Sequence, residues 1–146
     1  MVVLSKTILI LEDDLRVLSK LLEKLSILEQ DQPYDLSVIS LTNYKQVQNF
    51  INSNPKAQFD IVLLDRDCKI GGSFHVFDIE QFGADKIISI SSVPEYNKEA
   101  RKRGVKRIIL KDFKYLDKFV DQVIKEIERM LRKTSLLSAL KKVHKS

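Results

Sequence analysis

The chain has 146 residues, 44% of them hydrophobic and 31% charged, which suits one soluble globular domain with room for a core. Its formal net charge of +5 is uneven, with Lys and Arg crowded between Lys98 and Lys114 and again after Arg129, so the total by itself does not assign the protein to nucleic acid. No apolar run approaches the roughly 20 residues that cross a bilayer, Met1 to Leu4 is too brief for a signal-peptide core, and the single cysteine, Cys68, excludes an internal disulfide and a Cys-based metal cluster; the expectation is a cytoplasmic protein without membrane contact, holding any metal through oxygen.

In chain order, Lys6 to Leu11 is an apolar, β-branched run that reads as a first strand, followed at once by Glu12-Asp13-Asp14. Leu15, Leu18, Leu21, Leu22, Leu25 and Leu28 recur at helical spacing behind those acids, which favour the positive end of a helix dipole. Leu36 to Ser40 reads as a second strand, and Tyr44, Val47, Phe50 and Ile51 mark a second helix ending near Asn54-Pro55. Phe59 to Leu64 is a third, almost continuously apolar strand delivering Asp65, and Gly71-Gly72 then demands an irregular loop that leaves Phe74 to Phe82 room for only a short helix. Lys86 to Ser92 reads as strand four, Pro94 to Arg103 as a helix stopped by Gly104, and Val105 to Leu110 as strand five. Tyr115 to Leu131 carries the apolar stripe of a long helix, and Leu136, Leu137 and Leu140 suggest one more helical turn in a basic tail.

Strands alternating with helices imply an α/β fold, a five-stranded, doubly wound parallel sheet with helices on both faces. Residues 1–132 are expected to form that domain and 133–146 a basic tail. The loop after strand one lacks the glycine fingerprints of phosphate-binding loops, so no nucleotide cofactor is expected. In such a sheet the carboxyl ends of the strands open onto one crevice, and here they bring Glu12-Asp13-Asp14, Asp65, Ser91-Ser92 and Lys111 to one rim. Crowded carboxylates raise one another's pKa unless a cation sits among them, and Mg2+ (or Mn2+) with its preference for oxygen ligands answers that need. Lys111 offers a compact charge and Ser91 a hydroxyl donor to phosphoryl oxygens.

At these residues the sequence resembles the receiver domain of two-component response regulators. Ile8 to Asp14 is similar to that family's first strand and acidic cluster, Val62-Leu63-Leu64-Asp65 to its phosphoacceptor strand, Ile90-Ser91-Ser92 to its hydroxyl-bearing switch, and Leu110-Lys111-Asp112-Phe113 to its lysine motif, in order and spacing over residues 6 to 131. The resemblance implies that Asp65 accepts a phosphoryl group from a histidine kinase or phosphotransfer protein. It also implies that Asp13 and Asp65 bind the metal with Glu12 assisting, that the Asp67 backbone carbonyl completes the protein ligands, and that Ser91 and Lys111 contact the acylphosphate. Too few residues follow 132 for an output domain, so output through a partner is expected. The face of helix four, strand five and helix five, with Tyr96, Arg101, Ile108 and Phe119, is implied as the signalling surface and as a route to a homodimer. The tail is expected to pack there, to contact nucleic acid, or to stay disordered.

The chain departs from the family pattern at Lys69 and Asp112, where proline is usual, and at the switch position, Ile108, where Tyr or Phe is usual. The resemblance therefore carries phosphoacceptor chemistry further than it carries the usual output coupling. Plainer readings stand beside each residue. Asp65, Asp13 and Asp14 suit helix caps and first turns, Asp67 a turn or the neighbourhood of a hydrolytic water, Ser91 and Ser92 backbone satisfaction, and Lys111 the surface. Cys68, His75 and His144 read as structural or surface residues. Two alternatives remain: a receiver-like binding module that is not phosphorylated, and a haloacid-dehalogenase-type phosphatase in which Asp65 attacks a phosphate ester and Asp67 is the general acid.

Overall fold

A computed structural model describes residues 3–31 and 33–145, with side-chain environments as far as residue 133. Strands β1 (Leu4–Leu11), β2 (Tyr34–Leu41), β3 (Ile61–Leu64), β4 (Ile87–Ser89) and β5 (Arg107–Ile108) form one parallel sheet in the order β2-β1-β3-β4-β5. Helices α1 (Leu15–Asp31), α2 (Tyr44–Ser53), α3 (Ile79–Phe82) and α4 (Pro94–Lys102) connect them, and α5 (Leu116–Lys145) follows β5. Because the chain leaves β1 toward β2 and returns to β3 on the other side, the strand order reverses between β1 and β3, and a crevice opens at their carboxyl ends.

All four residues of β3 are buried, as a central parallel strand covered on both faces requires. Alternate side chains go opposite ways. Ile8, Ile10, Ile61, Leu63 and Ile88 pack with Leu21 and Leu25 of α1 and with Phe119 and Val123 of α5. Leu9, Leu11, Val62 and Leu64 pack with Val47, Phe74, Ile79 and Phe82 on the other face. Full burial of each such side chain contributes about 1.5–3 kcal/mol, so the two half-cores fix the strand register that aligns the rim.

Local chemistry sets the helix ends around the crevice. Asp14 Oδ1 accepts from the amides of Arg16 at 2.9 Å and Val17 at 3.2 Å, capping α1. Asn43 and Gln46 form a reciprocal capping box at α2. Pro94 opens α4 without any side-chain cap, and Gly104, at φ +99°, ends its turn in a conformation that disfavours other residues.

Several element bounds differ from the sequence reading. Strands β4 and β5 are shorter than the runs Lys86–Ser92 and Val105–Leu110, but parallel pairing continues past them: Ile109 N donates to Ser89 O at 2.9 Å and Lys111 N to Ser91 O at 3.1 Å. Leu15 and Leu22, assigned to the apolar stripe of α1, are 61% and 39% exposed, because that stripe centres on Leu18, Leu21, Leu25 and Leu28. Phe119, expected on the signalling surface, is instead core, 2% exposed on the inner face of α5. Helix α5 runs through position 132 to Lys145 without interruption, so the boundary drawn between domain and tail falls inside a helix. The side chains of Leu136, Leu137 and Leu140 lie outside the described residues.

Candidate functional site

The strand ends bring four of the sequence-predicted residues into direct contact range. Glu12, Asp13 and Asp65 each offer a carboxylate oxygen, and these oxygens lie within 4.8 Å of one another. Lys111 Nζ donates to Asp65 Oδ2 at 2.8 Å and lies 2.6 Å from Glu12 Oε2. The adjacency follows from register: Leu11 pairs with Leu64, so Glu12 and Asp65 leave neighbouring strands side by side, while the bond from Lys111 N to Ser91 O carries the lysine up the same rim. Asp14, third in the acidic run, leaves the cluster to cap α1.

Burial gives this cluster its electrostatic character. Glu12 is fully buried, Asp65 is 5% exposed and Lys111 is also 5% exposed. Loss of water, reinforced by the Asp65 charge, pushes the Glu12 carboxyl up to about 8 in spite of Lys111. Burial likewise raises the Asp65 pKa against the pull of the same ammonium. Burial works to lower the Lys111 pKa, and the two carboxylates override it and hold the lysine charged. Two of the three clustered carboxylates, Glu12 and Asp65, thus share one ammonium. Glu12 Oε2 is buried against the Lys111 ammonium at 2.6 Å, and Glu12 Oε1 accepts from Asp14 N at 3.1 Å. Three carboxylates within 4.8 Å of one another and only one lysine among them fit a divalent metal site with hard oxygen ligands.

The loop after β3 is tied down by its own side chains and by the start of α2. Arg66 N donates to Asp65 Oδ1 at 2.7 Å, and the Arg66 guanidinium takes the Asp67 carboxylate at 3.2 Å. The Asp67 side chain is thus paired with its own neighbour in the loop. Asp67 also bridges Ser73, and Asn43 bridges Lys69, docking the loop on the start of α2. Two different constraints operate at the paired glycines. Gly71, at φ +71°, supplies the left-handed conformation, whereas a Cβ at Gly72 would fall 1.9 Å from the Tyr44 ring, so Gly72 is needed for space. Its neighbour Ile70 also has a positive φ, 70°, unusual for a β-branched residue, and is 65% exposed.

Ser91 sits at the rim, 3% exposed, and its Oγ accepts from Val93 N at 3.2 Å. A residue the sequence reading overlooked holds it there. Asn97 of α4 accepts from Ser89 Oγ at 2.6 Å and Ser91 N at 3.2 Å, and donates to Ser91 O at 3.1 Å. The signal was present in the sequence, since Asn97 lies one helical turn before Ala100 on the buried face of an otherwise polar helix. Ile108 is half-buried on β5 and lines a shallow groove with Leu110, Lys98 and Arg101. Ser92 is exposed.

No family model matches the sequence, and no curated protein matches it. Solved structures do. The phosphorylated cyanobacterial phytochrome response regulator RcpA superposes with a TM-score of 0.67 at 17% identity, covering 89% of this chain and 96% of that one. The Mn(2+)-bound form of response regulator Rcp1 gives 0.64 at 18% identity, covering 81% and 91%. The receiver domain of the Francisella response regulator 1452 gives 0.60 at 19% identity, covering 88% and 98%. The chain has the receiver-domain fold. At these identities the likeness establishes architecture alone, and the receiver reading of the site stands on the cluster of Glu12, Asp13, Asp65 and Lys111. Among the described residues no helix is long and apolar enough to cross a membrane.

Proposed function

We propose that this chain is a phosphoacceptor receiver, in which Asp65 takes a phosphoryl group from the phosphohistidine of a kinase or phosphotransfer protein. The observation that carries the reading is the buried Asp65 carboxylate at the end of β3, set between two further acids and the Lys111 ammonium at 2.8 Å. In the transfer an Asp65 oxygen attacks phosphorus, the phosphorus–nitrogen bond breaks, and the histidine nitrogen leaves with the electron pair and takes up a proton. Asp13 and Asp65, with Glu12 assisting and the Asp67 carbonyl, would hold Mg2+ or Mn2+. A bound divalent ion supplies charge neutralisation for the acids and for the phosphoryl oxygens. Lys111, already paired with Asp65 Oδ2, turns to a phosphoryl oxygen as the product forms, and Ser91 donates its hydroxyl to another. Output passes to a partner protein, in a cytoplasmic setting. A second copy docked through the face of α4, β5 and α5, or nucleic acid met by the basic stretch after 132, would be further readings of the same kind.

Incubation of the full chain with acetyl phosphate and Mg2+ tests this. The expected result is a single phosphoryl adduct by intact mass, lost on hydroxylamine treatment and absent from Asp65→Asn. A chain that stays unmodified, or an adduct that survives in Asp65→Asn, would replace the proposal with the reading of an unphosphorylated binding module.

A further inference from the structure

The residue after the acceptor reaches a different element from the acceptor itself. Arg66 donates its amide to Asp65 Oδ1 at 2.7 Å, and its guanidinium carbon lies 4.1 Å from the centroid of the Tyr96 ring. Its Nε is 3.6 Å from Glu99 Oε2, and His75 Nδ1 is 3.4 Å from the same oxygen. Tyr96 and Glu99 lie one turn apart on α4, so a single arginine grips one face of that helix. Between them Asn97 pins the helix to Ser89 and Ser91, and at the far end Arg103 donates to the carbonyls of His75 at 3.0 Å and Phe77 at 3.1 Å. Helix α4 has no side-chain N-cap, so these tertiary contacts hold its first turns.

We propose that Arg66 is the residue that couples the state of Asp65 to α4, through its contacts with Tyr96 and Glu99, while Asn97 anchors the helix to the rim. This rests on the phosphoacceptor reading of Asp65 and supplies the route that an isoleucine at position 108 leaves open. The physical reason is competition for one cation. Arg66 is now shared among the Tyr96 ring, Glu99 and Asp67. A phosphoryl group on the preceding residue adds charge and acceptor oxygens next to the Arg66 amide, which draws the guanidinium off α4. The loss of a cation–π contact and an ion pair, each modest where solvent reaches it, suffices to bias a helix start that lacks its own cap. Arg66 acts on α4 and is a positioning residue in this scheme.

The test removes the grip from the α4 side and leaves Asp65, Arg66 and Lys111 in place. Full-length protein and the double variant Tyr96→Leu/Glu99→Gln are compared by amide chemical shifts on adding beryllofluoride with Mg2+ as the phosphoryl mimic. In the parent, shifts are expected at Arg66 and Lys111 and along α4 from Tyr96 to Arg103. In the double variant those at Lys111 persist and those along α4 fall about threefold or more, as expected when a ligand's differential contact is removed. Undiminished α4 shifts in the variant would overturn the proposal. Loss of the Lys111 shifts as well would also overturn it, because α4 would then be holding the site together instead of reading it. Absence of saturable shifts at Lys111 in the parent would remove the receiver reading itself, and the coupling with it.

Discussion

Lys111→Met removes the cation on which the buried acids depend. Lys111 is 5% exposed, with its ammonium 2.6 Å from Glu12 Oε2 and 2.8 Å from Asp65 Oδ2. Methionine keeps much of the stem's volume, so the change tests charge more than packing. Taking one partner from a buried ion cluster costs about 3–5 kcal/mol, because the remaining carboxylates stay desolvated. For a chain of this size 1 kcal/mol corresponds to about 2–4 °C, which places the expected fall in Tm at about 6–20 °C in the presence of EDTA. Mg2+ restores charge among the same oxygens, so it should raise the Tm of Lys111→Met by more than it raises that of the parent. Thermal unfolding followed by circular dichroism, with and without metal, measures both. A variant whose Tm in EDTA lies within about 2 °C of the parent, corresponding to under 1 kcal/mol, and which gains no extra metal response, would refute the view that Lys111 compensates buried charge.

Other outcomes follow from individual contacts. Asp13→Asn should weaken divalent-ion binding, read by metal titration of the Tm, while leaving metal-free stability near that of the parent; an unchanged titration would exclude Asp13 from the metal site. Glu12 sets a pH dependence: its carboxyl is raised from 4.5 to about 8, so the folded state holds the proton more tightly than the unfolded one. That contribution is fully present below pH 4.5 and lost as the pH rises through about 8. Urea midpoints of the metal-free parent should therefore fall across this window relative to Glu12→Gln, and parallel profiles would count against a raised Glu12. Asn97→Ala leaves Ser89 Oγ and the Ser91 backbone without their buried partner and is expected to cost about 2–4 kcal/mol by urea denaturation, with Asn97→Asp recovering part of it. Gly72→Ala drives a methyl into the Tyr44 ring, and a loss of about 1–3 kcal/mol that shrinks in a Tyr44→Ala background would show that space, not backbone freedom, fixes this glycine.

The sequence by itself determined the sheet, the order of its elements and the residues at its rim. Runs such as Ile61 to Leu64 are legible because burial on both faces demands continuous apolarity, and a strand-end acid such as Asp65 stands out against such a run. Helix bounds at Pro94 and Gly104 were equally plain, since each residue's backbone restriction acts locally. What only the tertiary structure decided depends on partners distant in the chain. Phe119 turns inward because α5 packs against α1. Gly72 is fixed by the ring of Tyr44, 28 positions earlier in the chain, and Asn97 by Ser89 and Ser91 across the turn between β4 and α4. The unequal claims on Arg66 arise because β4 and α4 fold back beside the β3 loop, bringing Tyr96 and Glu99 to a residue thirty or more positions earlier. Hydrophobic pattern writes itself along the chain, whereas side-chain pairing and desolvation exist only once the layers have closed.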